Sequence, residues 1–222
     1  MKILAVSDEI APQVYDSGIK TRFADVGLVL GCGDLPHYYL EYIATMLQVP
    51  VYYVMGNHGC ELDEQDNREI RPGGCEDINE RVVEHRGLLI AGLEGSMRYK
   101  VGPHQYTQLE MRRNVLRLSA RMLFRQRFRG RQLDILIAHA PPLGIHDCQD
   151  LCHTGFAAFL WFMERYQPCY MLHGHTHVYN QLQPTMTQYR NTVVVNVYPF
   201  RVLDIPSVDT PLRAVDEKGT LN

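Results

Sequence analysis

Val26-Gly27-Leu28-Val29-Leu30-Gly31-Cys32-Gly33-Asp34 is an apolar run that stops on a glycine and a carboxylate. Apolar runs of roughly four to eight residues bounded by glycine read as buried strands. Further stretches repeat the pattern. Lys2–Val6 leads to Asp8, and Val51–Met55 leads to Gly56-Asn57-His58. Leu133–Ala138 leads to His139, and Tyr170–Leu172 leads to Gly174-His175-Thr176-His177. In open α/β sheets, ligands collect beyond the carboxyl ends of the strands. Runs that each end in a residue able to bind a metal therefore describe one site.

The intervening sequence supplies helices. Pro36–Leu47 carries Tyr39, Ile43, Met46 and Leu47 at helical spacing. Gln108–Arg129 reads as one long helix and Phe156–Tyr166 as another. The acidic stretch Glu61–Glu69 breaks the pattern and ends at Arg71-Pro72-Gly73-Gly74, a loop signal. Leu88–Leu93, Val193–Val197 and Phe200–Leu203 complete the strands. We expect one domain over residues 1–205 and a polar tail over 206–222.

Length and composition agree with this. A chain of 222 residues can bury a full core without staples. Its hydrophobic content of 45% and net charge of −3 are ordinary for a globular protein. That charge argues against nucleic acid or an anionic membrane as a partner. Six cysteines are too sparse for a disulfide scaffold. The longest apolar stretch, Gly155–Met163, is too short to span a bilayer. The first residues read as a strand feeding the site, so no cleavable signal and a cytoplasmic setting are expected.

The ordered motifs Ser7-Asp8-Glu9-Ile10, Gly33-Asp34, Gly56-Asn57-His58, Ala138-His139-Ala140-Pro141-Pro142 and Gly174-His175-Thr176-His177 resemble a known signature. It is that of the calcineurin-like metallophosphoesterase family: D-x-H, G-D, G-N-H, a lone H, then G-H-x-H. The resemblance spans most of the chain. It implies a four-layer α/β/β/α sandwich of two packed mixed sheets flanked by helices. It also implies hydrolysis of a phosphomonoester or phosphodiester by attack of a metal-bound hydroxide on phosphorus. The implied cofactors are two divalent cations about 3.5–4 Å apart, Mn²⁺ foremost, with Fe, Zn²⁺ or Mg²⁺ as alternatives. By the same resemblance Asp34 bridges the cations, Asn57, His139 and His175 complete one site, and Asp8 and His177 belong to the other. His58 corresponds to the family's non-ligand histidine, which contacts the phosphate and assists the leaving oxygen. The resemblance does not choose a substrate. The small size of the chain, with no obvious large cap domain, favours a small phosphorylated molecule that is nucleotide-like or a diester.

One position departs from the signature. The histidine expected two residues after Asp8 is Ile10, which cannot bind a cation, so one site is expected to be weaker. Glu9 and His37 are candidate substitutes, although His37 also reads as a surface residue on a first helical turn. Asp147, Asp150 and His153 recur at three-residue spacing. They either face the pocket from one helical turn or cap a helix start as solvated carboxylates. Cys148 and Cys152 read as free thiols, because a zinc site wants more close ligands. Arg113, Arg117, Arg121 and Arg125 form a stripe on the long helix opposite Met111, Val115, Leu118 and Met122. Such a stripe either binds phosphate-rich partners or is a solvated face. Gly102-Pro103-His104-Gln105-Tyr106 is placed at the pocket rim. The alternative to an enzyme is a non-catalytic scaffold, or a phosphate-ligand-binding protein, on the same fold with an incomplete metal site.

Overall fold

Two mixed sheets pack face to face with helices on both outer sides. The computed structural model describes residues 1–58, 69–129, 133–180 and 182–205. The first half contains β1 (Lys2–Val6), α1 (Ile19–Arg22), β2 (Val26–Cys32), α2 (His37–Leu47), β3 (Val51–Val54) and β4 (Glu76–Asp77). Next come β5 (Val82–His85), β6 (Leu88–Leu93), β7 (Ser96–Met97), β8 (Gln105–Tyr106) and α3 (Gln108–Arg129). The chain continues through β9 (Ile135–Ala138), α4 (Ala157–Tyr166), β10 (Tyr170–His173), β11 (Met186–Tyr189), β12 (Thr192–Asn196) and β13 (Phe200–Asp204). One sheet has the order β13-β1-β2-β3-β4 and the other β11-β12-β10-β9-β6-β5.

The unbroken apolar runs follow from burial on both faces. Along β1 and β2, Ile3, Ala5, Leu28 and Leu30 meet Ile90, Ile135, Ile137, Leu172 and Val195 of the other sheet. The alternate residues Leu4, Val6 and Val29 pack under Ile19 of α1 and Tyr39, Leu40 and Ile43 of α2. On the far side Leu89, Leu93 and Leu136 pack under Met111 and Val115 of α3 and Phe159 and Phe162 of α4. Three apolar layers between four structural layers make the expected sandwich. Burying each such side chain contributes about 1.5–3 kcal/mol.

Helix α3 begins with a reciprocal cap. The Thr107 backbone N–H donates to Glu110 Oε2 at 2.8 Å, and Glu110 N–H donates to Thr107 Oγ1 at 3.3 Å. Its core face is the expected one: Met111, Val115, Leu118 and Met122 are all buried. On the opposite face Arg117 grips the Glu80 carboxylate at 2.5 and 2.8 Å, and Arg121 bonds the Glu80 carbonyl. Two members of the arginine stripe thus tie the helix to the loop before β5. The Arg125 side chain lies outside the described residues, as do most of Glu61–Glu69 and the tail 206–222. Among the described residues no helix is long and apolar enough to cross a membrane.

Candidate functional site

Strands β1, β2 and β3 run parallel in one sheet, and β6, β9, β10 and β12 run parallel in the other. The loops that follow them carry every sequence-predicted ligand. Asp8 N–H donates to the Gly33 carbonyl at 3.0 Å, and Gly174 N–H donates to the His139 carbonyl at 3.0 Å, which locks neighbouring loops together. Asp8, Asp34 and His175 each leave their strand with φ of 64, 53 and 67°. Left-handed backbone is unfavourable for residues other than glycine, least so for Asp, and such strain gathers at functional sites.

The glycines of the motifs make room for carboxylates. A Cβ on Gly56 would overlap the Asp34 carboxylate, and one on Gly174 would overlap that of Asp8. On Gly33, a Cβ would stand 2.5 Å from His139 Nδ1. The two sheets are therefore closed over the acidic side chains with no space for any residue larger than glycine.

Asp34, His139 and His175 converge, each offering a ligand atom, with those atoms all within 4.8 Å of one another. Asp34 Oδ2 lies 3.3 Å from His139 Nε2, and Asn57 Oδ1 lies 3.2 Å from the same nitrogen. His139 Nδ1 donates to the Cys32 carbonyl at 2.9 Å, which fixes the ring and turns Nε2 into the site. His175 is arranged in the opposite sense. Its Nε2 donates to the Cys152 carbonyl at 2.6 Å, leaving Nδ1 as the ligand atom. Asn57 is buried, and its Nδ2 has no partner while its Oδ1 faces His139. An amide held by what its oxygen meets, beside a carboxylate and two imidazoles, is a donor set suited to a divalent cation of hard or borderline character. The residues fit the metal that the motifs imply.

Electrostatics follow the same grouping. Burial alone would raise Asp34, but the neighbouring His139 and the His58 backbone N–H, 2.7 Å from Oδ1, hold its carboxyl well below the usual range. Burial disfavours a charged His139, yet Asp34 and then Asp8 outweigh it and bring its pKa up to about 9. Burial and the charge of His139 push His175 down to about 4. The Asp34 carboxylate thus favours positive charge beside it, which a bound cation would supply.

The second group is looser. The Asp8 carboxylate is almost wholly enclosed and accepts the His175 backbone N–H at 3.0 Å on each oxygen. His177 Nε2 lies 3.8 Å from Asp8 Oδ1, and that carboxylate holds the imidazole above its ordinary pKa. The His177 ring stacks on Tyr198 with centroids 4.5 Å apart, and the Tyr198 hydroxyl donates to Glu9 Oε2 at 2.5 Å. Glu9 is thereby held beside His177. Ile10 is half-buried and packs into the apolar layer under α1 and α2.

The sequence profile of the calcineurin-like phosphoesterases matches residues 11–179. The chain belongs to this family. No curated protein matches the sequence. TT1561 of Thermus thermophilus is similar in structure, with a TM-score of 0.55, 15% identity and 88% coverage of each chain. GAP50, the anchor in the inner membrane complex of Plasmodium, gives a TM-score of 0.51 and 9% identity over 88% of this chain and 70% of its own. A further solved structure reaches a TM-score of 0.63 at 15% identity over 91% of this chain and 94% of its own. At these identities the likeness is one of fold.

Some expectations for this phosphoesterase-fold chain need correction. His37 is buried in the first turn of α2 and not on the surface, and it lines a small cavity with Asp34, Tyr53 and His58. Asp147, Asp150 and His153 do not share a helical turn, since residues 147–155 form bends and turns. Asp147 Oδ2 accepts the Gly155 N–H at 3.1 Å, and Asp150 Oδ1 accepts the His153 N–H at 3.1 Å. The physical reason is local: short carboxylates here cap their own loop's backbone. The His153 ring lies 5.0 Å from that of His175.

Other residues at the site gave no clear signal in the sequence. His173 is buried beneath Gly174, donates Nδ1–H to its carbonyl at 2.9 Å, and meets His146 Nδ1 at 2.9 Å. Burial keeps His146 at about 4 and His173 at about 3, so both rings are neutral. Asn196 Nδ2 donates to the Thr176 carbonyl at 2.7 Å and so braces the turn between His175 and His177. The two-residue spacing of His173, His175 and His177 suggests one shared face. But β10 ends at His173 and His175 has φ of 67°, so the spacing does not reveal the buried position of His173.

Proposed function

We propose that this protein is a metal-dependent phosphoesterase that hydrolyses a small phosphorylated substrate, nucleotide-like in size, as a monoester or diester. The convergence of Asp34, His139 and His175 beside the Asn57 amide oxygen carries this reading. Asp34, Asn57, His139 and His175 would hold one divalent cation, and Asp8 and His177 would hold a second beside Asp34. Glu9, whose carboxylate accepts the Tyr198 hydroxyl, would supply what Ile10 lacks. The family signature points to Mn²⁺ first, with Fe, Zn²⁺ or Mg²⁺ as alternatives. Such cations supply Lewis-acid polarisation of the phosphoryl group and lower the pKa of the attacking water.

The chain's own residues do the rest. His139 and His175 are fixed by hydrogen bonds to backbone carbonyls, so their lone pairs are oriented in advance. His58 is exposed, and its backbone is anchored to Asp34. Its side chain lines a small cavity with Asp34, from which it would contact a phosphate oxygen and carry a proton to the leaving group.

The test is metal content together with hydrolysis of p-nitrophenyl phosphate and bis-p-nitrophenyl phosphate, with and without added Mn²⁺. Metal-stimulated turnover of either ester is expected. Ile10 is the observation favouring a non-catalytic scaffold. Stoichiometric metal with no turnover of either ester would favour that alternative.

A further inference from the structure

The loop over residues 147–155 folds three donor atoms onto one another. The Cys152 thiol donates to Asp150 Oδ1 at 2.9 Å and lies 3.2 Å from His153 Nδ1. His153 Nδ1 in turn stands 2.8 Å from the same Asp150 oxygen. These are close to the separations that a tetrahedral zinc ion imposes. With Zn–S near 2.3 Å and Zn–N and Zn–O near 2.0–2.2 Å, adjacent donors sit roughly 3.2–3.6 Å apart. From 2.8–3.2 Å the triangle needs to open by roughly 0.3–0.7 Å.

Its backbone is already braced. The Asp150 carbonyl accepts the Thr154 hydroxyl at 2.8 Å, and the His153 carbonyl accepts the Cys148 N–H at 3.2 Å. Asp150 Oδ1 also accepts the His153 N–H at 3.1 Å, a further brace on the triangle, while Asp147 Oδ2 caps the Gly155 N–H at 3.1 Å. A preformed loop with a thiol, an imidazole and a carboxylate selects for cations that accept sulfur.

We propose that Asp150, Cys152 and His153 form a second metal site, separate from the phosphoesterase centre, that takes a thiolate-preferring divalent cation such as Zn²⁺. Binding exchanges the thiol proton, released to solvent, for a metal–sulfur bond, with no change of oxidation state. The site adjoins the other centre through the Cys152 carbonyl, which accepts His175 Nε2–H at 2.6 Å. A cation in the loop therefore bears on how firmly His175 is held.

Co²⁺ is the probe that separates the two centres. Thiolate-to-Co²⁺ charge transfer gives a near-ultraviolet band, and the donors assigned to the phosphoesterase centre are all oxygen or nitrogen. In titrations of the full chain the band should rise to a plateau, by three equivalents if the phosphoesterase centre fills first, and excess Zn²⁺ should abolish it. It should persist in Asp34→Asn, which disables the other centre, and vanish in Cys152→Ser. His153→Gln, which keeps the thiol, should weaken Co²⁺ binding at this band at least tenfold while circular dichroism stays native. Absence of the band in the wild type, or its full retention in Cys152→Ser, would overturn the proposal. Neither outcome depends on whether the chain hydrolyses esters.

Discussion

His139 Nε2 stands 3.3 Å from Asp34 Oδ2, and the two residues come from different sheets. That contact is where the sandwich closes at its functional edge. Asp34 also accepts the His58 N–H, so one carboxylate ties the ends of β2, β3 and β9 together. Replacing Asp34 by Asn keeps the shape but removes the charge that a bridging ligand supplies. Asp34→Asn should lose most bound metal by elemental analysis and nearly all hydrolysis, with a native circular dichroism spectrum. Wild-type metal content and turnover in the variant would refute the role.

His58 makes the opposite prediction. Its backbone is part of the framework, but its side chain is exposed. His58→Ala should retain metal near the wild-type level and lose about 10²–10⁴-fold in turnover, the usual range for an acid–base group. A parallel loss of metal would make it a ligand instead.

The motif glycines separate the two halves of the centre. Gly56→Ala places a methyl group on the Asp34 carboxylate, whereas Gly174→Ala places one on Asp8. Gly56→Ala should therefore abolish metal binding outright. Gly174→Ala should weaken the second equivalent while leaving the first measurable by calorimetry. Equal effects of the two substitutions would show that the carboxylates act as one unit.

A pH dependence arises away from the metal ligands. His104 lies between two carboxylates, with Nε2 2.8 Å from Glu69 Oε1 and Nδ1 3.1 Å from Glu94 Oε1. Both contacts need a proton on the ring, so the bound form is imidazolium. Burial opposes that charge, but Glu94 and Glu69 outweigh it and raise the pKa above 6.5. The Tyr106 hydroxyl bonds Glu94 at 2.5 Å, and Arg71 lies 3.5 Å from Glu69, so both also face this cluster. With the folded pKa raised, the stabilisation is complete below the unfolded value and disappears as pH rises through the folded one. The melting temperature should fall across that interval in the wild type and fall less in His104→Gln. An identical slope in the two proteins would exclude the clamp.

Much of this architecture is legible in the sequence because β1, β2, β9 and β10 are buried on both faces and so read as unbroken apolar runs. The edge strands are not. β11 alternates exposed and half-buried residues, and β5 contains Glu84 and His85, so neither announces itself. Glycine followed by a ligand type marks the loops, since a Cβ on Gly56 or Gly174 would meet a carboxylate and one on Gly33 the His139 ring. The support beneath them is invisible for a physical reason. Cys32 and Cys152 orient His139 and His175 through main-chain carbonyls, and any residue type supplies a carbonyl. The turn at 147–155 resists a reading from spacing, because three-residue intervals fit a helix as well as a loop whose carboxylates cap their own backbone.

The departure at position 10 gives the last prediction. Ile10 packs into the apolar layer under α1 and α2, so the chain has placed an apolar group where the family signature has a ligand. Glu9 is held close by, its carboxylate bonded to the Tyr198 hydroxyl, whose ring stacks on His177. Successive strand residues face opposite ways, but Asp8 has φ of 64° and the chain has already left strand geometry there. Glu9 can therefore approach the same cation as Asp8 and His177. Glu9→Gln keeps the Tyr198 hydrogen bond and removes the charge. Calorimetry should show the second equivalent of Mn²⁺ binding more weakly while the first is unchanged, and activity should need more added metal. If both equivalents bind as in the wild type, Glu9 is not the missing ligand, and the Asp8/His177 site works with water in its place.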